Sequence, residues 1–362
     1  MKIAILHDYL NQCGGGEKCL DIFMKLFPHS DLYVLFYDSK TYTCSSLWNL
    51  KTSIIQRLPK LKNYKFYFPL FPIAIKLLNL DDYSLIFSSS HSYVKNLRKP
   101  NHSLHICYCH TPIRYAWDLR DQYLQQEPFF LRPFIKLFLL WLAYWDRKNS
   151  CNVDFFIANS KNVQQRILKY YGRDSEIIYP FVDCKKYTLS KKKEDFYLIV
   201  SRLIDAKRID IAIQAFASSN RQLIIIGTGR EQTKLAKSAS SNITFLGYLP
   251  ENDVIDYYKR AKALIVPGIE DFGMTSVEAQ ACGTPVIAFA KGGLLESIIQ
   301  GKTGHFFHKQ TPESLFHAIK EFETMFFNPT LCRKNALRFD KEIFKRKIKS
   351  FVIQKYRERR HD

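Results

Sequence analysis

The sequence predicts an α/β protein made of two doubly wound, Rossmann-like domains that face each other across a cleft. The chain has 362 residues, which is too long for one ordinary α/β domain and fits two of about 180 residues. In both halves, short apolar runs alternate with helix-period segments, as in βαβ units with parallel sheets. A polar, charged break at 183–195, without apolar periodicity, separates the halves.

These features predict a first domain at 1–184, a linker at 185–195 and a second domain at 196–340. The final helix-like segment, Lys341–Arg359, has no strand after it, so we expect residues 341–362 to pack back on the first domain. Ligands of doubly wound sheets bind at the carboxyl ends of the strands. We therefore expect the functional site where the loops follow the strands.

Apolar runs bounded by turn residues mark the individual strands. In the first half we predict strands at Ile3–His7, Leu32–Phe36, Leu85–Ser89, Leu104–Cys109, Phe155–Ala158 and Ile177–Tyr179, with helices beginning near Glu17, Pro133 and Lys161. In the second half we predict strands at Tyr197–Ser201, Gln222–Ile226, Thr244–Gly247, Ala263–Val266 and Pro285–Phe289, with helices between them.

The chain is strongly basic, with 54 Lys and Arg against 34 Asp and Glu, a net charge of +20. Such an excess indicates an anionic partner: a nucleic acid, a phosphorylated substrate or an acidic membrane surface. A generally basic surface without a dedicated partner is the alternative. The lysines are spread along the chain and no aromatic-basic recognition module is present, so we do not expect nucleic-acid binding.

Nine cysteines without a C-x-x-C pair favour reduced thiols in a cytoplasmic protein. The start leads directly into a strand rather than a signal peptide. The most apolar helical stretch, Leu137–Trp145, is far shorter than the ~20 residues that span a bilayer. Two aromatic, apolar stretches with interspersed Lys and Arg, Tyr64–Leu80 and Phe129–Trp145, either pack into the first domain or lie on an anionic membrane. We thus expect a cytoplasmic protein, soluble or peripheral at the inner face of the membrane.

Residues 270–296, EDFGMTSVEAQACGTPVIAFAKGGLLE, carry the strongest functional signal. Glu270 and Phe272 follow a strand, and Gly273 opens a helix. The free backbone N–H groups of Gly273, Met274 and Thr275 then favour a phosphate at the helix N-terminus. Glu278 lies further along that helix, where its carboxylate can accept hydrogen bonds from the vicinal hydroxyls of a ribose. A plain turn with surface glutamates is the alternative.

Arg202 ends a strand and Lys207 lies five residues later at a helix start. Two cations at the carboxyl edge of a sheet can neutralise a diphosphate, and more strongly as a sugar–phosphate bond breaks. Arg208 is interpreted as solvated or structural. Gly227, Gly229 and Leu249 lie in loops that the strand order assigns to a nucleotide pocket, with 247–253 over the base.

The first half contributes a glycine run and a histidine. Gly15 and Gly16 follow the first strand and enter a helix, where glycine lets the backbone approach a ligand closely. His110 follows a strand, and we expect Arg114–Asp118 to begin a helix after it. A Cys-x-Cys-His cluster at 107–110 resembles part of a metal site, but no fourth ligand is spaced to complete it.

The E-x7-E pattern of Glu270 and Glu278, with its flanks, resembles glycosyltransferase family 4, and the resemblance covers essentially the whole chain. It implies the GT-B fold, with the first domain binding the acceptor and the second a nucleotide-sugar. In that family the first glutamate contacts donor-sugar hydroxyls, the second binds the ribose, and an Arg/Lys pair binds the donor phosphates. Those roles pass to Glu270, Glu278, Arg202 and Lys207.

The segments HDYL at 7–10, SSSH at 88–91, CYCHTPIRYAWD at 107–118 and KRIDIAIQAF at 207–216 are similar to a bacterial mannosyltransferase branch that builds O-antigen and exopolysaccharide. That resemblance implies GDP-mannose as donor, retention of configuration and a glycan acceptor, expected to be lipid-linked. His110 then has an orienting or stabilising role near the sugar. We expect no cofactor and no metal, because Arg202 and Lys207 supply the charge and no D-x-D motif is present. A UDP- or dTDP-sugar donor and a non-catalytic nucleotide-sugar binder are the alternatives.

Overall fold

The computed structural model describes residues 2–12, 14–59, 61–217 and 219–361. The chain divides into two compact units, Met1–Tyr179 with Lys345–Asp362, and Pro180–Phe344. The segment 185–195, predicted as a linker, belongs to the second unit. There the Ser190 N–H donates to Cys282 O, and the Lys193 ammonium donates to Lys259 O and Thr284 Oγ1.

The first unit contains a parallel sheet of seven strands in the order β3-β2-β1-β4-β5-β6-β7. The order reverses between β1 and β4, so the loops that follow these two strands lie at a switch point where ligands bind in such sheets. The strands are β1 Ile3–His7, β2 Asp31–Val34, β3 Asn49–Thr52, β4 Leu85–Ser90, β5 Leu104–Cys109, β6 Phe155–Ala158 and β7 Ser175–Ile177. The α-helices are α1 Gly15–Leu26, α2 Phe71–Lys76, α3 Arg120–Gln125, α4 Arg132–Asn149 and α5 Lys161–Tyr171.

The second unit contains a parallel sheet of six strands in the order β10-β9-β8-β11-β12-β13, with its switch point between β8 and β11. The strands are β8 Phe196–Val200, β9 Gln222–Ile226, β10 Ile243–Gly247, β11 Ala263–Val266, β12 Val286–Phe289 and β13 Gly304–Phe307. The α-helices are α6 Ile209–Ala217, α7 Gln232–Lys237, α8 Glu251–Arg260, α9 Met274–Ala281, α10 Leu294–Ser297, α11 Pro312–Thr324, α12 Pro329–Ala336 and α13 Lys341–His361, which continues into the first unit.

The central strands of both sheets are buried because helices cover both faces, as their unbroken apolar sequences require. In the first unit β1, β4 and β5 are buried along their whole length. In the second unit β11 and β12 are equally buried. Two doubly wound parallel sheets confirm the predicted α/β fold class.

Four parts of the sequence fold differently from the prediction. β3 and β13 are strands that the sequence analysis did not predict, and β7 begins two residues earlier than the predicted Ile177–Tyr179. β3 is a half-exposed edge strand of sequence NLKT, which lacks an apolar run. The helix expected from Arg114 begins instead at Arg120, because residues 114–119 form turns.

Candidate functional sites

Lys207 and Glu270 meet at the switch point of the second sheet. Lys207 ends a 3-10 turn after β8, and Glu270 lies in the loop after β11. The ammonium lies 2.6 and 2.7 Å from the two carboxylate oxygens. Both side chains keep about a fifth of their surface exposed, at 19% and 18%. Each can therefore contact a ligand while remaining oriented by the other.

Glycines position these two side chains. A Cβ on Gly268 would lie 2.9 Å from Lys207 Cα, so only glycine lets the loop after β11 approach Lys207. Gly293 is equally constrained, because a Cβ there would lie 2.2 Å from Asp271 O. The Gly293 N–H donates to Glu270 O at 2.9 Å. The Gly292-Gly293 pair thus braces the loop that carries Glu270.

The N-terminus of α9 follows directly on this loop. Gly273 caps the helix with φ 87°, a left-handed conformation that favours glycine. Met274 and Thr275 form the first turn, whose N–H groups have no helical acceptor. Phe272 is buried against the ring of Phe339 at 5.2 Å and anchors the turn. The predicted arrangement of a loop glutamate beside a helix N-terminus is present.

Glu278 lies on α9 and is 7% exposed. The Tyr258 hydroxyl of α8 donates to its Oε2 at 3.1 Å. Burial, followed by the charge of Glu278, raises the pKa of Tyr258 well above its ordinary value, so the phenol stays a donor. Tyr258 was not predicted as a site residue, because it carries no motif signal beyond its place on the apolar face of α8.

The loops after β8, β9 and β10 pack on one another. A Cβ on Gly227 would lie 1.9 Å from Ser201 O, and one on Gly229 would lie 2.2 Å from Leu203 O. The Gly227 N–H also donates to Gly247 O at 2.7 Å. These glycines therefore have a structural reason to be glycine. A nucleotide-binding role for them stays a prediction.

The remaining predicted residues of this unit lie in or beside the same loops. Arg202 is exposed two residues after β8, and Leu249 is half-buried two residues after β10. Arg208 adopts φ 52°, the one left-handed non-glycine residue among those the structure describes. Its guanidinium lies 3.0 Å from the Asp210 carboxylate, in agreement with a structural interpretation.

His110, Gly15 and Gly16 belong to the first unit, at the switch point of its sheet. Gly14 is the N-cap of α1, and its N–H donates to Glu17 Oε2 at 2.9 Å. A Cβ on Gly16 would lie 3.7 Å from the rings of both His7 and His110. The glycine run and the histidine are therefore brought together.

His110 is linked to buried polar residues that the sequence analysis did not assign. Its Nε2 lies 2.9 Å from Ser89 Oγ, which lies 3.1 Å from His7 Nδ1. Burial, followed by the neighbouring His7 and His91 rings, lowers the pKa of His110 to about 3. The ring is therefore neutral at ordinary pH. The HDYL and SSSH segments contain these residues, but they gave no indication of the contacts.

Within the described ranges of the chain, no group of three or more His, Cys, Asp or Glu side chains is arranged to hold a metal ion. The eight described cysteines are free thiols. None of the helices in the described ranges combines the length and the apolar content needed to cross a membrane.

Two family models match the chain, one over each half. A model described as Glycosyltransferase Family 4 matches residues 36–186, and one described as Glycosyl transferases group 1 matches residues 183–338. The protein is a family 4-like GT-B glycosyltransferase. An uncharacterised glycosyltransferase of Methanocaldococcus jannaschii is 26% identical to this glycosyltransferase over 333 residues, covering 89% of the chain and 88% of that relative.

Solved structures share the fold over nearly the whole chain. The Anabaena protein HepE in complex with UDP superposes with a TM-score of 0.73 and 18% identity, covering 98% of this glycosyltransferase and 100% of HepE. HepE was also solved with UDP-glucose. The lipopolysaccharide outer core galactosyltransferase WaaB, in its apo form, superposes with a TM-score of 0.68 and 16% identity, covering 98% and 100% of the two chains. These likenesses support the GT-B fold.

Proposed function

We propose that this glycosyltransferase transfers mannose from GDP-mannose, with retention, to a lipid-linked glycan in cell-surface polysaccharide synthesis. The observation that carries the site assignment is the Lys207–Glu270 pair beside the N-terminus of α9. The mannose donor is supported by the likeness of the HDYL, SSSH and CYCHTPIRYAWD segments to mannosyltransferases. Loss of a diphosphate from such a donor builds negative charge on the leaving group, which the site must stabilise.

Each residue takes one part of that task. Lys207 and Arg202 neutralise the diphosphate, together with the first-turn amides at Gly273–Thr275. Glu270 accepts hydrogen bonds from donor-sugar hydroxyls, and Lys207 keeps its carboxylate oriented. Glu278, held by Tyr258, binds the ribose. A leaving-phosphate oxygen takes the acceptor proton, so the neutral His110 serves to orient the substrate and not as a base.

The site assignment is tested with Lys207→Met and Glu270→Gln. Each variant should lose most transfer activity and keep its fold, because both side chains are partly exposed and not part of the core. A matched control is Lys262→Met, which removes the equally short Lys262–Asp195 pair, 2.7 Å, elsewhere in the same unit. Near-normal turnover in either site variant, or an equal loss in the control, would refute the assignment.

A UDP-sugar is the second candidate donor, because HepE has this fold and was solved with UDP and UDP-glucose. A thermal-shift panel of GDP-mannose, UDP-glucose, UDP-N-acetylglucosamine and a dTDP-sugar separates the candidates, since a ligand that binds the folded chain raises its Tm. Transfer in the presence of EDTA tests metal independence. Binding without transfer to any glycan acceptor would favour a non-catalytic binder.

Helix α4 and its approach present an apolar surface that suits an anionic bilayer. Its exposed side chains are large and apolar, with Phe129 79%, Phe134 73%, Leu137 69%, Tyr144 65% and Phe130 61% exposed. The exposed charges on α4 are all cationic: Arg132, Lys136, Arg147 and Lys148, whereas Asp146 is buried. Such a face inserts aromatic rings at the headgroup boundary and attracts acidic lipids.

A depression of about 320 Å³ at the end of α4 adds to this surface. Arg147, Lys148 and Arg173 line it beside Tyr144. Arg147 and Lys148 are exposed here and suit a lipid phosphate, whereas the Arg173 guanidinium donates to backbone carbonyls of residues 150, 153 and 154. We infer that the first unit binds the inner membrane face here, where a lipid-linked acceptor is found.

Vesicle flotation tests the membrane proposal with full-length protein. Vesicles that contain phosphatidylglycerol should bind the wild type at low salt, and binding should weaken as salt screens the charges. A Phe134→Ser, Leu137→Ser variant should lose binding. Phe326→Ser, which removes an 85% exposed aromatic residue from the second unit, should not. Absence of binding at low salt, or equal binding by all three proteins, would overturn the proposal.

A further inference from the structure

Four polar side chains form a chain from Glu17 on α1 to His110 after β5. Glu17 Oε1 lies 3.8 Å from His7 Nε2, and neither atom has a hydrogen-bond partner among the described residues. His7 Nδ1 lies 3.1 Å from Ser89 Oγ, which lies 2.9 Å from His110 Nε2. Glu17, His7 and Ser89 are almost fully buried, whereas His110 is partly exposed.

A hydroxyl between two neutral imidazoles allows two arrangements of the protons, because it donates to one ring and accepts from the other. In the first, His7 Nε2–H faces Glu17, Ser89 O–H donates to His7 Nδ1, and His110 Nε2–H donates to Ser89. In the second, every proton is reversed and the lone pair of His7 Nε2 faces Glu17.

Glu17 decides between the two arrangements. Although burial opposes ionisation, the adjacent His7 ring lowers the pKa of Glu17 to about 2, and the Gly14 N–H donates to Oε2 at 2.9 Å at the positive end of α1, so the group is a carboxylate. The second arrangement would place a ring lone pair against that buried carboxylate, which leaves both acceptors unsatisfied. The first arrangement supplies the donor, and it is favoured.

Glu17 has compensating contacts besides His7. The charge of Glu17 is already compensated by the Gly14 N–H, 2.9 Å from Oε2, and by the positive end of α1. The His91 and His110 rings lie 5.8 and 6.4 Å from His7, and Asp8 follows it on the chain.

We propose that Glu17, acting through His7 and Ser89, fixes the tautomer of His110, with the proton on Nε2 and a lone pair on Nδ1. The ring then accepts a hydrogen bond at Nδ1 and cannot donate one there. If the proposed function holds, on which this step rests, His110 accepts a hydrogen bond from a hydroxyl of the substrate sugar. Glu17 is a positioning residue, since it acts through two other side chains.

Nitrogen-15 NMR of histidine-labelled protein at pH 7.5 tests the tautomer directly, with His110 assigned by its loss in His110→Ala. The wild type should show Nε2–H on both His7 and His110. Glu17→Gln should reverse the chain, because its amide can donate to His7 Nε2, so His110 should become Nδ1–H. Asp21→Asn, the same change one turn further along α1, should leave both rings unchanged.

Transfer kinetics give a second reading. Glu17→Gln should lower kcat by about tenfold or more, by analogy with partners that orient metal-ligating histidines, whereas Asp21→Asn should not. If Glu17→Gln does not fold, Ser89→Ala replaces it and should leave His110 as a mixture of tautomers.

An imidazolium at His7, or an Nδ1–H on His110, in the wild type would overturn the inference. So would a Glu17→Gln protein in which His110 keeps the wild-type tautomer. The NMR measurement needs no substrate. Correct tautomers in a protein without transfer activity would therefore refute the proposed function and leave this inference intact.

Discussion

His105 shows how burial of one side chain makes stability depend on pH. The ring lies in β5, fully buried, with Nδ1 3.1 Å from Asn152 O and Nε2 2.8 Å from Ser88 Oγ. The Asn152 carbonyl can only accept, so Nδ1 carries the proton and Nε2 accepts from Ser88. Both nitrogens are satisfied in the neutral ring, and a second proton would create a buried positive charge.

We predict that the free energy of unfolding falls as the pH is lowered from 6.5 towards 4. Burial lowers the pKa of His105 to about 4, so in this window the unfolded chain binds a proton that the native chain does not. The contribution is complete above pH 6.5 and is of the order of 3 kcal/mol. His110, whose pKa is about 3, acts in the same direction.

Urea unfolding between pH 7.5 and 4.5 measures this dependence. His105→Gln should flatten the slope, because it removes the titrating group and keeps polar atoms near Ser88 and Asn152. His308→Gln, at an exposed histidine, is the control and should retain the wild-type slope. An equal slope in the wild type and His105→Gln would contradict the assignment.

Gly268 is a second single residue with a large effect, because it governs the geometry of the Lys207–Glu270 pair. We predict that Gly268→Ala lowers the transfer rate by about a hundredfold. The new Cβ would lie 2.9 Å from Lys207 Cα, so one of the two loops must move. Misplacement of a catalytic group by about 1 Å can lower the rate by about a hundredfold. Steady-state kinetics measure the loss. Gly301→Ala is the control: its Cβ would meet nothing within 4 Å, so it should strain its turn and leave kcat unchanged. An equal loss of kcat in both variants would indicate general destabilisation.

At the scale of elements, Asp146 connects α4 to three neighbouring segments. Its carboxylate lies 3.0 Å from the Lys95 ammonium and accepts from Asn96 Nδ2 at 2.6 Å. It also accepts from Trp117 Nε1 at 2.9 Å and from the Tyr171 hydroxyl at 2.7 Å. Asp146 and Lys95 are both fully buried. This network holds the inner face of α4, while the outer face stays apolar and exposed.

We predict that Asp146→Ala lowers the free energy of unfolding by about 3–5 kcal/mol, because it leaves the Lys95 ammonium buried without its carboxylate. Chemical denaturation followed by tryptophan fluorescence measures the change. Asp121→Ala on α3 removes an exposed carboxylate and should change stability by about 0.5 kcal/mol or less. A small effect of Asp146→Ala would mean that the buried pair gives no net stability.

The elements that the sequence predicted well are those with strong apolar periodicity. β1, β5, β6, β9 and β11 have the bounds expected from their unbroken apolar runs. β3 and β13 could not be found in this way, because one is a half-exposed edge strand and the other is a four-residue strand that begins with glycine. Local sequence carries little information where burial comes from neighbouring elements.

The candidate sites likewise combine residues that the sequence predicted with contacts that it did not predict. Motifs placed Glu270, Gly273 and Glu278 on a loop and its helix, since those residues are neighbours in sequence. The Lys207–Glu270 contact joins residues 63 positions apart, so it depends on strand order and on Gly268. The chain from Glu17 to His110 depends on the adjacency of β1, β4 and β5 in the sheet. No local pattern encodes that order.

At the scale of the whole molecule, each unit encloses an apolar core of its own. One cluster in the first unit includes Leu6, Phe71, Tyr93 and Leu142. One in the second unit includes Ile199, Phe216, Ile265 and Ile319. A core that is complete within a unit lets that unit unfold cooperatively. Stability changes made in one unit should therefore stay in that unit.

We predict that hydrogen exchange separates the two units. A donor nucleotide at about 100 times its Kd should slow exchange in the core strands β8–β12, because binding to the folded form adds about 2.7 kcal/mol. Asp146→Ala should speed exchange in β1–β6 and leave the second unit at its wild-type rate. Exchange followed by peptide mass spectrometry reads both effects in one experiment. Equal protection of both sheets by the donor would show that the units unfold together. Slower exchange confined to β1–β6 would show that the donor binds the first unit, which contradicts the proposed site.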